Sequence, residues 1–172
     1  MRGLKRPWPA LKKVIAIRIK PSRSVFIAVG SNLKNREANL KEAWNQLART
    51  VCVKTVKASP VYETDPVGGP TQGKYLNAVW EIKTSFLPGE LLNELLRLEK
   101  RMGRRRTVPN APRIIDLDIL FYGNEVIQRR RLKIPHPRLH EREFVLKPLA
   151  DIAPDFTHPV LKKTVRVLLK DL

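Results

Sequence analysis

The stretch of residues 114–123 constrains the fold of this chain more than any other, because it places two aspartates in an otherwise apolar run. Its Ile, Leu, Phe and Tyr residues are typical of a buried β-strand. Strand side chains alternate between faces, so Asp116 and Asp118 should point the same way, with Cα atoms about 7 Å apart. Two ionised carboxylates on a buried strand are costly unless a positive group offsets them. The pattern predicts a Mg²⁺ site, since Mg²⁺ binds one or two carboxylates beside substrate phosphates. The alternative is a pair of aspartates at a strand end that are solvated or salt-bridged to Arg113.

Size and composition indicate a single globular domain. A chain of 172 residues can bury a proper core. An apolar fraction of 42%, with clear periodic segments, argues against disorder. Cys52 is the only cysteine, which excludes an intramolecular disulfide and a cysteine-built zinc site. No apolar run approaches the length of a membrane span, so we expect a cytoplasmic protein that does not enter the membrane.

The net charge of +18 is extreme and predicts a polyanionic partner. Nucleic acid, nucleotide phosphates and an anionic membrane are all compatible with this charge, which alone does not choose among them. Residues 1–24 contain eight basic and no acidic residues, three prolines and no stable apolar period. We therefore expect a basic N-terminal extension over residues 1–24 and one domain over residues 25–172.

The order of the predicted elements indicates an α+β fold. Apolar patterns predict strands at residues 25–29, 51–61 and 75–84 and in the aspartate-bearing stretch, with helices at residues 36–49 and from Pro88 onward. This β-α-β-β-α-β order fits a ferredoxin-like sandwich, an antiparallel sheet with helices packed on one face. Beyond it we expect a hairpin turn at residues 123 and 124, and a helix over residues 138–150 that breaks before Pro148.

Six short motifs carry a resemblance to a known enzyme family. They are FIAVGSNL (26–33), YETDPVG (62–68), YLNA (75–78), EKRMGR (99–104), PRIIDLDIL (112–120) and IPHPR (134–138). With these motifs in this order, the chain resembles the 6-hydroxymethyl-7,8-dihydropterin pyrophosphokinases of folate biosynthesis. The resemblance implies transfer of pyrophosphate from ATP to the pterin hydroxymethyl group, which gives AMP and the pterin diphosphate. It also implies two Mg²⁺ ions held by Asp116 and Asp118.

The resemblance implies a pterin site. Tyr75 and Phe144 match two aromatic rings that sandwich the pterin, which suits the stacking of flat heteroaromatic rings. Asn77, on the strand face of Tyr75, would offer a donor and an acceptor to the pterin edge. Three further positions match places where backbone groups contact the ring: Gly30, Thr64 and Val67. Without the family, ordinary core packing explains the two rings, and strand-edge or loop positions explain the others.

The resemblance assigns a second set of residues to ATP and to the catalytic centre. Arg113 matches a catalytic arginine beside the metal strand, and Arg104 and Arg106 match basic residues of a mobile lid. Arginine suits phosphate because its fork makes bidentate charge-assisted bonds. The remaining ATP-binding positions are Glu99, Ile119, Arg131, His136 and Arg142. By residue type alone, the arginines are expected to be solvated surface cations, the glutamate a solvated helix-end carboxylate and the histidine a turn cap.

The chain departs from the family in the predicted lid, residues 103–113. Asn110 stands where many members have Trp, and the loop is one residue shorter than in some relatives. A loop of about ten residues without apolar anchors is expected to be mobile. We expect it to become ordered only when both substrates are bound. No residue is predicted as a general base for the pterin hydroxyl.

Two other functions remain open on the sequence alone. A basic ferredoxin-like nucleic-acid-binding module would explain the charge and the sheet topology. Against it, aromatic residues make up only 6% of the chain and no K/R-G-F/Y-G/A-F-V-x-F/Y stretch occurs. An inactive relative of the enzyme family is the other possibility, given Asn110. We expect ATP and hydroxymethyldihydropterin as partners, neither nucleic acid nor membrane as a functional partner, and a monomer.

Overall fold

The computed structural model describes residues 3–4, 23–105 and 110–172. The strands are β1 (Gly3–Leu4), β2 (Arg23–Ser31), β3 (Val53–Ala58), β4 (Val61–Thr64), β5 (Tyr75–Thr84), β6 (Asp116–Tyr122), β7 (Ile127–Arg129) and β8 (Leu132–Ile134). The helices are α1 (Arg36–Arg49), α2 (Pro88–Arg101), α3 (Glu143–Ile152) and α4 (Val165–Lys170), and a 3₁₀ turn covers Leu139–Glu141.

Six strands form one antiparallel sheet with β5 and β2 at its centre. The order is β1-β4-β5-β2-β6, and β3 pairs with the other half of the β5 edge that β4 occupies. β2 pairs with β5 along its whole length, from Arg23 opposite Thr84 to Ser31 opposite Leu76. The predicted α+β ferredoxin-like sandwich is confirmed, with helices packed on an antiparallel sheet.

Helices cover both faces of this sheet rather than one. Helices α1 and α2 pack on the face that carries Ile27 and Trp80, and α3 and α4 pack on the face that carries Phe26 and Val79. The expectation of helices on one face is wrong, because the central strands are apolar at successive positions instead of alternating. Phe26 and Ile27 on β2 are 4% and 0% exposed, and the successive residues Val79 and Trp80 on β5 are both 0% exposed. A strand apolar on both sides needs cover on both sides.

Several elements have the predicted bounds. Helix α1 covers Arg36–Arg49 as predicted, and Asn35 caps it by accepting a hydrogen bond from the Ala38 amide at 3.0 Å. Strand β5 covers Tyr75–Thr84 as predicted. Helix α2 begins at Pro88, where the missing amide hydrogen leaves no intrahelical bond unmade.

The strand predicted over residues 51–61 is two strands. β3 ends at Ala58 and β4 begins at Val61. Proline has no amide hydrogen to give to a ladder, so Pro60 ends the pairing. At the break, the Ser59 hydroxyl accepts a hydrogen bond from the Val79 amide of β5 at 2.9 Å.

The helix predicted over residues 138–150 begins and ends elsewhere. A 3₁₀ turn comes first, and α3 then begins at Glu143 and continues through Pro148 to Ile152, so the predicted break is wrong. Proline removes one intrahelical hydrogen bond and crowds the preceding turn. Burial of Leu146 and Leu149, both 0% exposed, offsets that cost.

The segment after β6 turns at residues 123 and 124, as expected, but does not form a hairpin with it. β7 pairs with β8 in a separate two-stranded sheet, while β6 pairs with β2. The tail, for which no element was predicted, forms α4 with its N-cap at Thr164, whose hydroxyl accepts from the Val167 amide at 3.3 Å.

The predicted N-terminal extension lies mostly outside the described residues, which omit residues 1–2 and 5–22. Gly3 and Leu4 pair with Tyr62 and Val61 at the edge of the sheet, and β2 already begins at Arg23. The division after residue 24 stays a prediction. Among the described residues, no helix is long and apolar enough to cross a membrane.

Candidate active site

A cleft lies at the end of the sheet where β2 ends and β6 begins. Antiparallel pairing sets Gly30 of β2 between Asn77 of β5 and Asp116 of β6. Further along, Ala28 lies opposite Asp118. Most of the predicted site residues line this cleft: Gly30, Thr64, Val67, Tyr75, Asn77, Arg113, Asp116, Asp118, His136, Arg142 and Phe144. Positions far apart in the sequence therefore meet in one place.

The other predicted residues do not line the cleft. Arg104 and Glu99 contact the aspartate strand from beside it. Ile119 is 4% exposed and belongs to the core on the opposite face of β6. Arg131 is exposed between β7 and β8. Arg106 lies outside the described residues.

One end of the cleft is built from an amide and two aromatic rings. Asn77 is 8% exposed, and its Nδ2 donates to the Thr64 hydroxyl at 2.8 Å, which fixes the orientation of the amide. Gly30 keeps the adjacent floor open, since a Cβ there would lie 3.0 Å from Asn77 Oδ1. Tyr75 comes from the start of β5 and Phe144 from the first turn of α3.

Arginines lie beside both rings. The Arg113 guanidinium carbon is 5.7 Å from the Tyr75 ring centroid, and that of Arg142 is 5.6 Å from the Phe144 centroid. These contacts bring the aromatic end of the cleft next to its charged end.

At the charged end, two arginines bind the same aspartate. Arg113 Nη1 lies 2.6 Å from Asp116 Oδ2, and Arg104 Nη1 contacts the other oxygen, Oδ1. Arg104 Nη1 also contacts Glu99 Oε1. Side-chain exposures of 23% or less for all four groups keep solvent from screening these pairs strongly.

Glu99 is buried at the end of α2 and is only 3% exposed. Its Oε1 accepts a hydrogen bond from the Leu117 amide at 2.8 Å, between the two aspartates. The alternative of a solvated helix-end carboxylate is therefore wrong. Through this hydrogen bond, Glu99 links the end of α2 to β6.

The second aspartate carries an unbalanced charge. Burial, together with the nearby Asp116 and Glu99 carboxylates, raises the pKa of Asp118 to about 7, although Arg104 and Arg142 act in the opposite direction. The arginines therefore do not fully offset the negative charge at this point. A carboxylate in such a place favours a bound cation.

The two aspartates fit Mg²⁺ better than a metal that needs a protein cage. Within residues 3–4, 23–105 and 110–172, no group of three or more His, Cys, Asp or Glu side chains could hold a metal ion. Mg²⁺ needs few protein ligands, because water and substrate phosphates complete its octahedral shell. Asp116 and Asp118, on one face of β6, can supply the protein ligands.

Two further groups in the cleft offer hydrogen-bond donors. The Nε atom of Arg113 is buried and has no partner among the described residues. Burial, with Arg142 nearby, lowers the pKa of His136 to about 4, so its imidazole is neutral at physiological pH. Its Nδ1 accepts from the Arg138 amide at 3.2 Å, which leaves the proton on Nε2. Both donors suit phosphate oxygens.

The cleft also contains residues that the sequence reasoning missed. Gln72, Asn110 and Arg138 line it, and Asn32 lies beside it with a hydrogen bond to Gln72. Asn32 stood inside the FIAVGSNL motif, and Asn110 was singled out only as a departure from the family. Gln72 is a loop amide for which residue type and spacing give no sign of a role. Arg138 stood inside the quoted IPHPR motif and could have been considered for phosphate binding.

The fold and the cleft define a class of protein. An antiparallel α+β sandwich that faces two carboxylates toward arginines, beside a pair of aromatic rings, has the features of an enzyme that transfers phosphate groups to a flat aromatic substrate. Comparison with known proteins agrees with this class and narrows it.

The sequence model of the 7,8-dihydro-6-hydroxymethylpterin-pyrophosphokinase (HPPK) family matches residues 26–154. The chain belongs to this family, and it is therefore related to enzymes that transfer pyrophosphate. The resemblance found in the six motifs is confirmed.

Individual relatives agree. The chain is 47% identical over 127 residues to the 2-amino-4-hydroxy-6-hydroxymethyldihydropteridine pyrophosphokinase of Bacillus subtilis, covering 74% of this chain and 76% of that protein. It is 44% identical over 139 residues to the folic acid synthesis protein fol1 of Pneumocystis carinii, covering 81% of this chain but 19% of that longer protein. A crystal structure of wild-type Plasmodium falciparum HPPK-DHPS with pteroate superposes with a TM-score of 0.71 at 17% identity, over 87% of this chain and 42% of that one. At 17% identity, this structural similarity shows a shared fold and nothing further.

Proposed function

We propose that this chain transfers pyrophosphate from ATP to 6-hydroxymethyl-7,8-dihydropterin in folate biosynthesis, with Mg²⁺ held by Asp116 and Asp118. The products are AMP and the pterin diphosphate. One observation carries the proposal: a single cleft joins an aromatic and amide end to a pair of carboxylates surrounded by arginines. The nucleic-acid-binding module is not favoured, because the matched relatives are named pyrophosphokinases and folic acid synthesis proteins.

The aromatic end is proposed to bind the pterin. Tyr75 and Phe144 offer ring faces for stacking, and Asn77, oriented by Thr64, offers its remaining groups to the pterin edge. Gly30 supports this assignment because the lack of a side chain leaves the floor between Asn77 and Asp116 open. Val67 is 66% exposed at the mouth of the cleft, where its backbone can contact the ring.

The carboxylate end is proposed to bind the triphosphate with its metal. Mg²⁺, when bound, neutralises phosphate oxygens and helps to align attack and departure. Arg113 can direct its unpartnered Nε at a phosphate oxygen, and the neutral His136 can direct its Nε2 at another. Arg142 lines the same end. Because Arg113 and Arg104 both bind Asp116, ATP and its metal must compete with arginine for that carboxylate.

The chemistry needs position and charge more than covalent help. The pterin hydroxyl oxygen forms a bond to the β-phosphorus of ATP, and the bond from that phosphorus to the bridging oxygen that leaves with AMP breaks. The hydroxyl proton is released to solvent. Donors from the chain stabilise the charge on the phosphoryl oxygens in the transition state.

Other assignments stay part of the proposal without support from the cleft. Glu99, Ile119, Arg106 and Arg131 are proposed to contribute to the ATP site. We also propose a monomer located in the cytoplasm, with residues 1–24 as an extension of the domain.

An AMP-release assay tests the proposal. Purified protein with Mg²⁺, ATP and hydroxymethyldihydropterin should release AMP only when all three are present. Asp116→Asn should abolish the release, whereas Asp155→Asn should leave it unchanged, since the Asp155 side chain is 79% exposed and pairs with Arg166 outside the cleft. Wild-type protein without turnover under these conditions would refute the proposed function.

A further inference from the structure

Gln72 lies in the loop between β4 and β5, and its side-chain amide joins three separate segments around the cleft. Its Oε1 accepts from Asn32 Nδ2 at 2.8 Å and from the Tyr75 hydroxyl at 3.0 Å. Its Nε2 donates to the Asn110 carbonyl at 3.0 Å and to the Gly68 carbonyl at 3.4 Å. Both donors and both acceptor positions of the amide are therefore used by the described residues.

Asn32 extends this network to the charged end of the cleft. The side-chain Oδ1 of Asn32 accepts from the Arg113 backbone amide at 2.7 Å, and the backbone amide of Asn32 donates to the Arg113 carbonyl at 3.1 Å. Asn32 is 7% exposed, so these bonds face little competition from water. A continuous path of hydrogen bonds runs from the Arg113 backbone through Asn32 and Gln72 to the Tyr75 hydroxyl.

The contact with Asn110 depends on a glycine. Asn110 has φ +56° and Gly69 has φ +86°, both in the left-handed region. A Cβ on Gly69 would lie 2.8 Å from the Asn110 carbonyl oxygen, too close for any side chain. The glycine thus lets the two loops approach until Gln72 reaches that carbonyl.

We propose that Gln72 is a positioning residue that couples the pterin end of the cleft to its phosphate end. This inference rests on the proposed function, since it takes Tyr75 as a pterin-stacking ring and Arg113 as a phosphate-binding arginine. Gln72 holds the Tyr75 ring at a set angle and holds the Arg113 backbone at a set distance from it. Binding of the pterin against Tyr75 then orders Arg113, and binding of the phosphates by Arg113 orders Tyr75.

The test measures coupling between the two ligands. The dissociation constant of 6-hydroxymethylpterin is measured with and without Mg²⁺ and a nonhydrolysable ATP analogue, for wild type, Gln72→Ala and Thr71→Ala. Wild type should bind the pterin more tightly when the analogue is present. In Gln72→Ala, the ratio of the pterin dissociation constants measured without and with the analogue should be about tenfold smaller than in wild type. This factor corresponds to the loss of one or two hydrogen bonds. Thr71→Ala, an exposed neighbour in the same loop, should match wild type.

Two more variants separate positioning from a general loss of structure. Tyr75→Phe keeps the ring and removes the bond of its hydroxyl to Gln72, together with the interaction of that hydroxyl with the Arg113 side chain, so it should show part of the effect. The double variant Gln72→Ala/Tyr75→Phe should lose less than the sum of the two single losses, because each single variant already removes the shared bond. Gln72→Glu keeps the acceptor oxygen but turns the donor into an oxygen that faces two carbonyls, so it should lower kcat/KM with little change in pterin stacking.

The outcomes are distinguishable from a failure of the proposed function. Wild type that releases AMP, together with a Gln72→Ala variant that keeps the full tightening and full kcat/KM, overturns this inference alone. Additive effects in the double variant, or a wild type that turns over without any tightening, also overturn it. Wild type that does not release AMP overturns the proposed function and this inference with it.

Discussion

Replacing Asp118 by asparagine should raise the free energy of unfolding and abolish AMP release. In the folded protein the pKa of Asp118 rises from 3.8 to about 7, chiefly because the group is buried and then because Asp116 and Glu99 lie near. An acid with a raised pKa holds its proton more tightly in the folded state than in the unfolded chain. Its contribution to stability is therefore complete below about pH 4, falls between about pH 4 and pH 7, and is gone above.

The size of the effect follows from that shift. One pKa unit corresponds to about 1.4 kcal/mol, so between about pH 5 and pH 8 this carboxyl alone lowers the free energy of unfolding by about 3 kcal/mol. Asparagine has the same shape and no charge to bury. Relative to wild type, the free energy of unfolding of Asp118→Asn should therefore increase by about 3 kcal/mol between about pH 5 and pH 8.

Urea unfolding without divalent metal, at several values between about pH 5 and pH 8, measures this difference. Asp155→Asn is the matched control, because it removes an exposed carboxylate that pairs with Arg166 outside the cleft. Adding Mg²⁺ and a nonhydrolysable ATP analogue should stabilise wild type at high pH and fail to stabilise Asp118→Asn, which should also release no AMP. Parallel pH slopes for wild type and Asp118→Asn, or ordinary turnover by the variant, would refute the reasoning.

Three further substitutions test single contacts. Gly30→Ala places a Cβ 3.0 Å from Asn77 Oδ1, so the KM for the pterin should rise about tenfold with little change in melting temperature, and an unchanged KM would count against a pterin at this floor. Arg113→Lys keeps the charge but loses the fork and Nε, so kcat should fall about a hundredfold in the AMP-release assay; near-normal kcat would remove its assigned role. Tyr62→Phe removes the 2.7 Å hydrogen bond to Asp151 and should cost about 1 kcal/mol in urea unfolding with normal activity, whereas lost activity would contradict a purely structural contact.

Local pattern was enough for the elements with one strong periodicity. Helix α1 has a single apolar stripe, and β5 is apolar between loops, so both were predicted with their observed bounds. Prediction failed at prolines whose effect depends on neighbours. Pro60 ends β3, whereas Pro148 is accommodated inside α3, because packing around that helix offsets the lost hydrogen bond.

In the site, too, features set by local sequence pattern were predicted and features that depend on tertiary contacts were not. The prediction that Asp116 and Asp118 share a face is confirmed, because alternation along a strand is a local property. Glu99 could not be predicted as buried, since its environment comes from the docking of α2 against β6. Gln72 was missed for a related reason: an amide in a loop acquires a role only from the groups that fold against it.

By itself, the sequence determined the family, the α+β class with the bounds of α1 and β5, and the placement of two carboxylates on one strand face, all of which depend on residue types at short spacings. Only the tertiary structure decided which charges are buried, which arginines already bind the aspartates, and which loops share hydrogen bonds across the cleft. Those properties depend on distances between segments far apart in the chain. The free energies of burial and of charge interaction are set by such distances and by the solvent that the fold excludes.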